Sequence, residues 1–578
     1  MLDSHKTSMS TVHNLAHLLN QWAGQSSRTL YRRFDPVNQS WTNVSAGELI
    51  TRCAQWQQTF TEQGLKAGDR VAICARNSVP WVEIDIAALG LGLVVVPLYV
   101  DDNAGNMAYC TSHSGAQLLI LDNLRQAKQL LATEVPLPQL WILKTEADEV
   151  LPEHCYAVNA KVATPIKSSA TEKTQPPFEC VPVSDDTLAT ICYTSGTGGR
   201  PKGVMLSHGN IRSNVQACSQ LDIARADDVF LSFLPLSHMF ERTGGYYLPL
   251  SIGATVAHAR SVAHLMEDLA TQRPTALFAV PRIFEKFHAK VLEGIKKSAL
   301  KSALFNANVA WGWDRSQGKL YNPLKLALLP VLQTLIGKKV LAHMGGNLRL
   351  AVAGGAALES GIARTFIGLG LPILHGYGMT EASPVIAVNR VENNVPESVG
   401  AAMPGIDIRL GEHNELQVRG SNVMQGYWQD RANTDLALRD GWLSTGDVAE
   451  IKDSRIYIRG RIKDILVLSN GEKCPPQDME LAILGDPVFE QIMLVGEARP
   501  FLSLIAVTTS ANEKALVKAA NERLKQFPKW MRIRRVIVAT EPWSVDNGLL
   551  TPTLKVKRAK VLEHFAKQLS SVYDANED

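Results

Sequence analysis

The sequence predicts an α/β protein, a largely parallel sheet covered by helices, followed by a smaller and more charged unit. Three observations predict it. Helical and strand periodicities alternate through the first half of the chain. Gly and Pro punctuate the changeovers. After about residue 458 the segments become shorter and the charge density rises.

In chain order, GDRVAIC at 68–74 reads as a turn and a short strand, and VVVPLY at 94–99 as a buried strand after the small-residue run AALGLG. Residues 158–180 are polar and rich in Lys, Thr, Ser and Pro, a surface connection. Val262, Leu265, Met266 and Leu269 recur at i, i+3, i+4 and i+7 and mark a helix over 261–273. Pro274 stops it, TALFAV follows as a strand, and Pro281 ends that strand. Ile362, Phe366 and Leu369 mark another helix, closed by Gly370 and followed by the strand LPIL. Helix–strand alternation of this kind covers a sheet with helices. Such sheets carry their ligand loops at the carboxyl ends of the strands. Between 523 and 560 stand ten Lys or Arg against Glu541 and Asp546, so the last unit is basic. The boundary falls at 459–463, between units spanning 10–458 and 464–578.

Composition bounds the function. The net charge of +3 is nearly balanced, so nothing global asks for nucleic acid. Eight cysteines lie scattered without a C-x-x-C pair, which argues against a zinc ribbon or a disulfide framework and fits a reducing, cytoplasmic setting. The N-terminus shows no basic segment followed by a sustained apolar one. The apolar stretches at 86–100 and 326–336 are shorter than the roughly 20 residues a span needs, and both contain Pro. They read as buried elements, leaving only peripheral attachment at the inner membrane face open.

The strand LATICY at 188–193 runs into TSGTGGRPKG at 194–203. Its glycines let backbone N–H groups approach phosphate oxygens, its hydroxyls donate, and Lys202 supplies a point charge. Neither G-x-x-x-x-G-K-[ST] nor G-x-G-x-x-G fits, because Pro201 occupies the critical place. On composition alone the segment is a phosphate loop or a flexible surface turn.

The longer stretch YTSGTGGRPKGVMLSHGN resembles the phosphate-binding signature of the adenylate-forming superfamily, which includes acyl-CoA synthetases, fatty acyl-AMP ligases and luciferases. GYGMTE at 376–381, WLSTGD at 442–447, RGRIKDILVLSNGEK at 459–473 and NGLLTPTLKVKR at 547–558 follow in that family's order. FLPLSHMFERTGGYYLPLSIGATV, DLATQRPTALFAVPRIFEK and LRLAVAGGAAL are most similar to long-chain fatty acid–CoA ligases. The resemblance implies a large N-terminal adenylate-forming domain of α/β subdomains and a small, mobile α+β C-terminal domain. It implies attack of a fatty carboxylate on the α-phosphorus of ATP, with Mg²⁺, and then transfer to CoA.

It also implies roles. Thr194, Ser195, Gly196, Thr197, Gly198 and Lys202 would hold the departing pyrophosphate, and Glu381 with Thr194 would bind the metal. Thr380 would bond the α-phosphate. Tyr377 and Gly378 would face adenine, with Gly355, Ala356 and Ala357 on the other side. Asp447 and Arg461 would reach the ribose, and His238 would border the acyl carboxylate. Lys555 matches the catalytic lysine; Lys557, Arg558 and Lys560 beyond it read as a solvated basic tail. Lys463 matches the hinge, and Gly471 the entry of a pantetheine arm. Competing readings are a fatty acyl-AMP ligase serving an acyl carrier protein and a non-catalytic acyl- or nucleotide-binding protein. The number of subunits is open, a dimer included.

Overall fold

The structure, a computed structural model, describes residues 13–146, 149–159, 164–165, 176–194, 200–221, 223–296, 298–545, 547–551 and 555–574. Two nine-stranded sheets build the large unit. In the first, strands Ile373–Gly378, Leu350–Ala353, Ala276–Ala279, Val229–Ser232, Thr255–His258 and Thr29–Asp35 run parallel as successive neighbours. In the second, the parallel set is Leu188–Thr194, Val94–Pro97, Arg70–Cys74, Leu118–Asn123, Gln139–Lys144 and Cys155–Asn159. Antiparallel strands complete the edges of both. Parallel strands need crossovers and covered faces, which is why the central segments Val94–Pro97, Ala276–Ala279 and Leu350–Ala353 are unbroken runs of buried apolar residues, whereas Thr29–Asp35, towards an edge, carries half-buried Arg and Asp.

The segments read from periodicity take these forms. The helix over 261–273 is a 3₁₀ turn, Val262–His264, leading into an α-helix, Leu265–Gln272. Helix Ser360–Gly368 is capped by the Glu359 carboxylate, which accepts from the N–H groups of Gly361 and Ile362 at 3.0 and 2.9 Å. The strand after it runs on to Gly378, so the first half of GYGMTE is the more exposed end of a strand buried over its first three residues. The apolar stretch at 86–100 is the end of helix Val79–Gly90 and the buried strand Val94–Pro97. Among the described residues, no helix is long and apolar enough to cross a membrane. Part of the connection over 158–180 lies outside the described residues, but Glu179 and Val181 bond to Gln57 and Gly90 and so pack on the large unit.

Below the cleft between the sheets lies a charged core. Helix Val79–Gly90 carries Asp85, and a π-helical turn, Arg242–Tyr247, presents Arg242, Tyr246 and Tyr247 to it. Asp85 pairs with Arg242 and accepts from both tyrosine hydroxyls at 2.9 Å, while Arg242 donates to Thr190 at 2.8 Å. All five residues are essentially inaccessible to solvent. An unpaired charge at such depth would cost several kcal/mol, so each ion needs the other.

A five-stranded sheet follows, in which Trp442–Lys452 pairs antiparallel with Arg455–Arg461. After the 3₁₀ turn Ile462–Asp464 the chain enters cores of its own. Helix Pro476–Leu484 and strands Phe489–Val495, Leu502–Thr508 and Ile533–Ala539 pack around Leu494, Leu504 and Ile505.

Candidate active site

A cleft of about 2690 Å³ opens where strands of both sheets end. Its floor follows the carboxyl ends of Val229–Ser232, Ala276–Ala279, Leu350–Ala353 and Ile373–Gly378, as a ligand site on a parallel sheet requires. Residues after 458 form its other wall.

The glycine-rich loop connects two antiparallel strands, Leu188–Thr194 and Lys202–Ser207, whose register sets Thr194 opposite Lys202. Both line the cleft. Ser195, Gly196, Thr197 and Gly198 lie outside the described residues. The Lys202 ammonium donates to Asn433 Oδ1 at 2.6 Å and lies 5.0 Å from the centre of the Tyr427 ring. Those contacts hold the cation at the loop's base.

Tyr427 also donates to Glu381 Oε1 at 2.9 Å, so one aromatic side chain joins the loop lysine to the GYGMTE carboxylate. Nothing in the sequence reading pointed to Tyr427 or Asn433; their partners lie more than 40 residues away. Gly378 has a packing reason to be glycine, because a Cβ there would sit 2.0 Å from the Pro384 carbonyl oxygen. Gly354, ahead of Gly355, Ala356 and Ala357, has another: its Cβ would meet the Phe240 ring at 2.9 Å. The backbone of GGAA thereby reaches the cleft beside Tyr377 and Thr380.

Asp447 lies on strand Trp442–Lys452, directly opposite Arg461. Its two oxygens are engaged separately, Oδ2 by the Tyr377 hydroxyl at 2.5 Å and Oδ1 by Arg461 Nε at 3.1 Å. Burial, and then the Asp447 charge, push the Tyr377 phenol well above its ordinary pKa, so it stays a donor. Each carboxylate oxygen keeps a further lone pair for an incoming hydroxyl.

His238 is half-buried on the cleft's edge, and its Nδ1 accepts from the Phe240 N–H at 3.2 Å. Burial, and secondly the charge of Lys555, bring its pKa down to about 4. At neutral pH it is an uncharged imidazole with Nδ1 already used.

Lys555 stands in the cleft, bonded back to Thr551. Its N–H donates to Thr551 Oγ1 at 3.0 Å, its carbonyl accepts from the Thr551 N–H at 2.8 Å, and Leu550 bridges to Val556. Enclosure by protein, and then the Arg461 charge, lower the ammonium's pKa; Asp447 and Glu381 act in the opposite sense. Lys557 lines the same cleft. Arg558 is no solvated tail residue: it donates to Glu480 at 2.8 Å and to the Leu494 carbonyl at 2.6 Å. That clamp ties the Lys555 segment to the three-stranded sheet. Lys463 also lines the cleft, whereas Gly471 stands on an exposed turn at φ +85° with nothing within 4 Å of where a Cβ would be.

One space thus gathers Thr194, Lys202, His238, Gly355, Ala356, Ala357, Tyr377, Gly378, Thr380, Glu381, Asp447, Arg461, Lys463 and Lys555. It leaves out Gly471.

Residues 19–428 match the family model of the AMP-binding enzymes, and residues 463–577 match that of the AMP-binding enzyme C-terminal domain. A long-chain-fatty-acid–CoA ligase of Mycobacterium tuberculosis is 29% identical, over 94% of each chain. A chloroplastic long-chain-fatty-acid–acyl-carrier-protein ligase of Arabidopsis thaliana is 27% identical over 93% of this chain and 84% of its own. Among solved structures, ATP-bound MatB from Rhodopseudomonas palustris superposes with a TM-score of 0.72 at 20% identity, covering 96% of this chain and 99% of that one.

Proposed function

The chain belongs to the AMP-binding enzyme family, and from that premise we propose that it activates a long-chain fatty acid with ATP and passes the acyl group to CoA. One observation carries the reading: a lysine from the last part of the chain, Lys555, stands in the same cleft as Lys202, Glu381, Asp447 and Arg461. In the first step a substrate carboxylate oxygen bonds to the α-phosphorus, and the bond from that phosphorus to the bridging oxygen of pyrophosphate breaks. No protein nucleophile is needed, only positioning and neutralisation of charge. Lys555 faces the charge that builds between carboxylate and α-phosphate. Lys202 and the loop after Thr194 receive the leaving pyrophosphate. Asp447, oriented by Tyr377 and Arg461, accepts from the ribose hydroxyls. Thr380 bonds the α-phosphate, and the backbone of Gly355, Ala356 and Ala357 borders adenine opposite Tyr377.

The donor set suits Mg²⁺ that arrives on the nucleotide. Among the described residues no group of three His, Cys, Asp or Glu could hold a metal unaided. A single carboxylate, Glu381, with the Thr194 hydroxyl, is what an ion already ligated by phosphates requires. When bound, the ion neutralises phosphate charge.

In the second step the CoA thiolate attacks the acyl carbon and AMP leaves, with Lys463 as the hinge that presents Gly471 to the pantetheine arm. The carrier-protein ligase among the relatives supports a second reading, with an acyl carrier protein as acceptor. All eight cysteines are free, which supports a reducing, cytoplasmic location. The test is a panel of carboxylic acids with ATP, following pyrophosphate with and without CoA. Pyrophosphate release and thioester formation with palmitate-like acids are expected. Adenylate that accumulates despite CoA would favour the carrier protein, and inertness with every acid would sink the proposal.

A further inference from the structure

Helix Pro323–Leu332, PLKLALLPVL, is apolar where a surface helix should be polar. Of its residues only Leu329 and Leu332 are buried. Leu324, Leu328 and Val331 are 67%, 42% and 51% exposed, and Leu335 in the π-helical turn that follows is 51% exposed. Their spacing of i, i+4, i+7 and i+11 places all four along one side. Tyr321, just ahead of the helix, is 81% exposed. The helix packs on the protein through Leu329 and Leu332, with Lys325 lying 5.6 Å from the centre of the Trp311 ring, while Leu326, outside the stripe, is itself 41% exposed. A continuous apolar stripe in water has a use, because isolated exposed leucines are common but contiguous ones are not.

The charge around the stripe says what covers it. From residue 296 to 339 the chain carries eight Lys or Arg and one acid, Asp314, in a protein whose net charge is only +3. Lys319 precedes the helix and Lys338 and Lys339 follow it, all exposed. Among the described residues the lysine ion pairs lie elsewhere, at Lys144, Lys525 and Lys560. A second copy docked on this face about a two-fold axis would set lysines against lysines. An anionic bilayer satisfies both features: the leucines enter the acyl boundary while the lysines reach lipid phosphates.

We infer that helix Pro323–Leu332 and its flanking lysines seat the enzyme on the surface of an anionic phospholipid bilayer, lying in the interface and not crossing it. The inference stands on this face alone and does not need the activity proposed above. It is tested by floating the full-length protein with vesicles of phosphatidylcholine mixed with phosphatidylglycerol, and with phosphatidylcholine alone. The protein rises with the mixed vesicles and stays behind with the neutral ones. Lys338→Gln/Lys339→Gln weakens binding roughly thirtyfold, the removal of two surface-attracted charges. Leu328→Glu/Val331→Glu weakens it at least as much. Neither pair lines the cleft, so melting temperature and ATP-dependent pyrophosphate release stay at wild-type values. The Lys→Gln pair serves if the Glu pair proves unstable. Failure to float, equal binding to neutral vesicles, or binding untouched by both pairs overturns the inference. So does a wild-type dimer that Leu328→Glu/Val331→Glu converts to monomer, since a second copy would then own the face.

Discussion

The two walls of the cleft are held by different physics. On the large-unit side, Thr190, Asp85, Arg242, Tyr246 and Tyr247 bond to one another out of reach of solvent, beside Thr243, Gly244 and Leu248, which line the cleft. On the other side, Lys555 is held by its bonds to Thr551 and by one clamp, Arg558 to Glu480 and the Leu494 carbonyl. The first wall could not shift without stranding a buried charge. The second rests on polar contacts at its edge, which exchange with water at little net cost. On the function proposed, the first wall receives the nucleotide and the second presents Lys555 to it.

The largest effect should come from breaking the fixed wall. Asp85→Ala leaves the Arg242 guanidinium buried without its partner, a loss of about 3–5 kcal/mol. Denaturant unfolding should show it as a lower midpoint, with ATP-dependent adenylation lost as a consequence of instability. An unchanged midpoint would mean that the pair does not hold the wall. Lys555→Ala should do the reverse. Unfolding stays near wild type, while adenylation, read as pyrophosphate exchange, falls roughly a hundred- to thousandfold, as for removal of one transition-state donor. Thioester formation from supplied acyl-adenylate should be largely spared. Equal loss in both steps would refute the role given to Lys555. Arg558→Ala should be milder, roughly tenfold in adenylation, because it removes the two contacts to Glu480 and the Leu494 carbonyl that position Lys555 without removing the cation itself. Rescue by Arg558→Lys would mark the clamp as a matter of positioning.

The same division governs what the sequence made legible. Parallel strands are buried on both faces, so segments such as TALFAV announce themselves by composition. The glycines of GYGMTE and GGAA stand out because backbone and ring leave no room for a Cβ at Gly378 and Gly354. The links between motifs were silent. Tyr427 joins Lys202 to Glu381, and Tyr377 joins GYGMTE to Asp447, through contacts between residues far apart in the chain. No periodicity records such pairs. Arg558 read as one more basic residue in a basic tail, because its partners at 480 and 494 belong to other elements. The exposed leucines of Pro323–Leu332 were misleading for the opposite reason: apolar sequence implies burial, and here most of it faces water.

A smaller effect tests whether the delivered cation feels the fixed wall. Lys555 must be protonated to offset charge, and its surroundings lower its pKa below the ordinary 10.5, Arg461 being the neighbouring charge that contributes. Adenylation should therefore decline on the alkaline side before an ordinary lysine would titrate. Arg461→Gln removes a repelling charge and should move that decline to higher pH. Glu381→Gln removes a stabilising one and should move it lower. Both variants lose rate at every pH, so the position of the limb, and not its height, is the reading. Limbs that stay in place would mean that Lys555 does not share the site during turnover.

The smallest effect on adenylation is expected at Gly471, which the present arrangement leaves outside the cleft. Its φ of +85° lies in the left-handed region, and open space surrounds it. Gly471→Ala therefore meets no clash and should destabilise by about 1 kcal/mol through backbone strain alone. Pyrophosphate exchange should match wild type, because nothing at the adenylation site touches this turn. If the C-terminal unit turns on Lys463 to bring Gly471 to the thiol's path, the same methyl group should slow thioester formation and raise the KM for CoA. A substitution that spares the first half-reaction and impairs the second would show that one small domain offers two faces to one cleft. Loss of neither would leave Gly471 as turn geometry only. Loss of both would mean that the turn already bears on adenylation in the arrangement described.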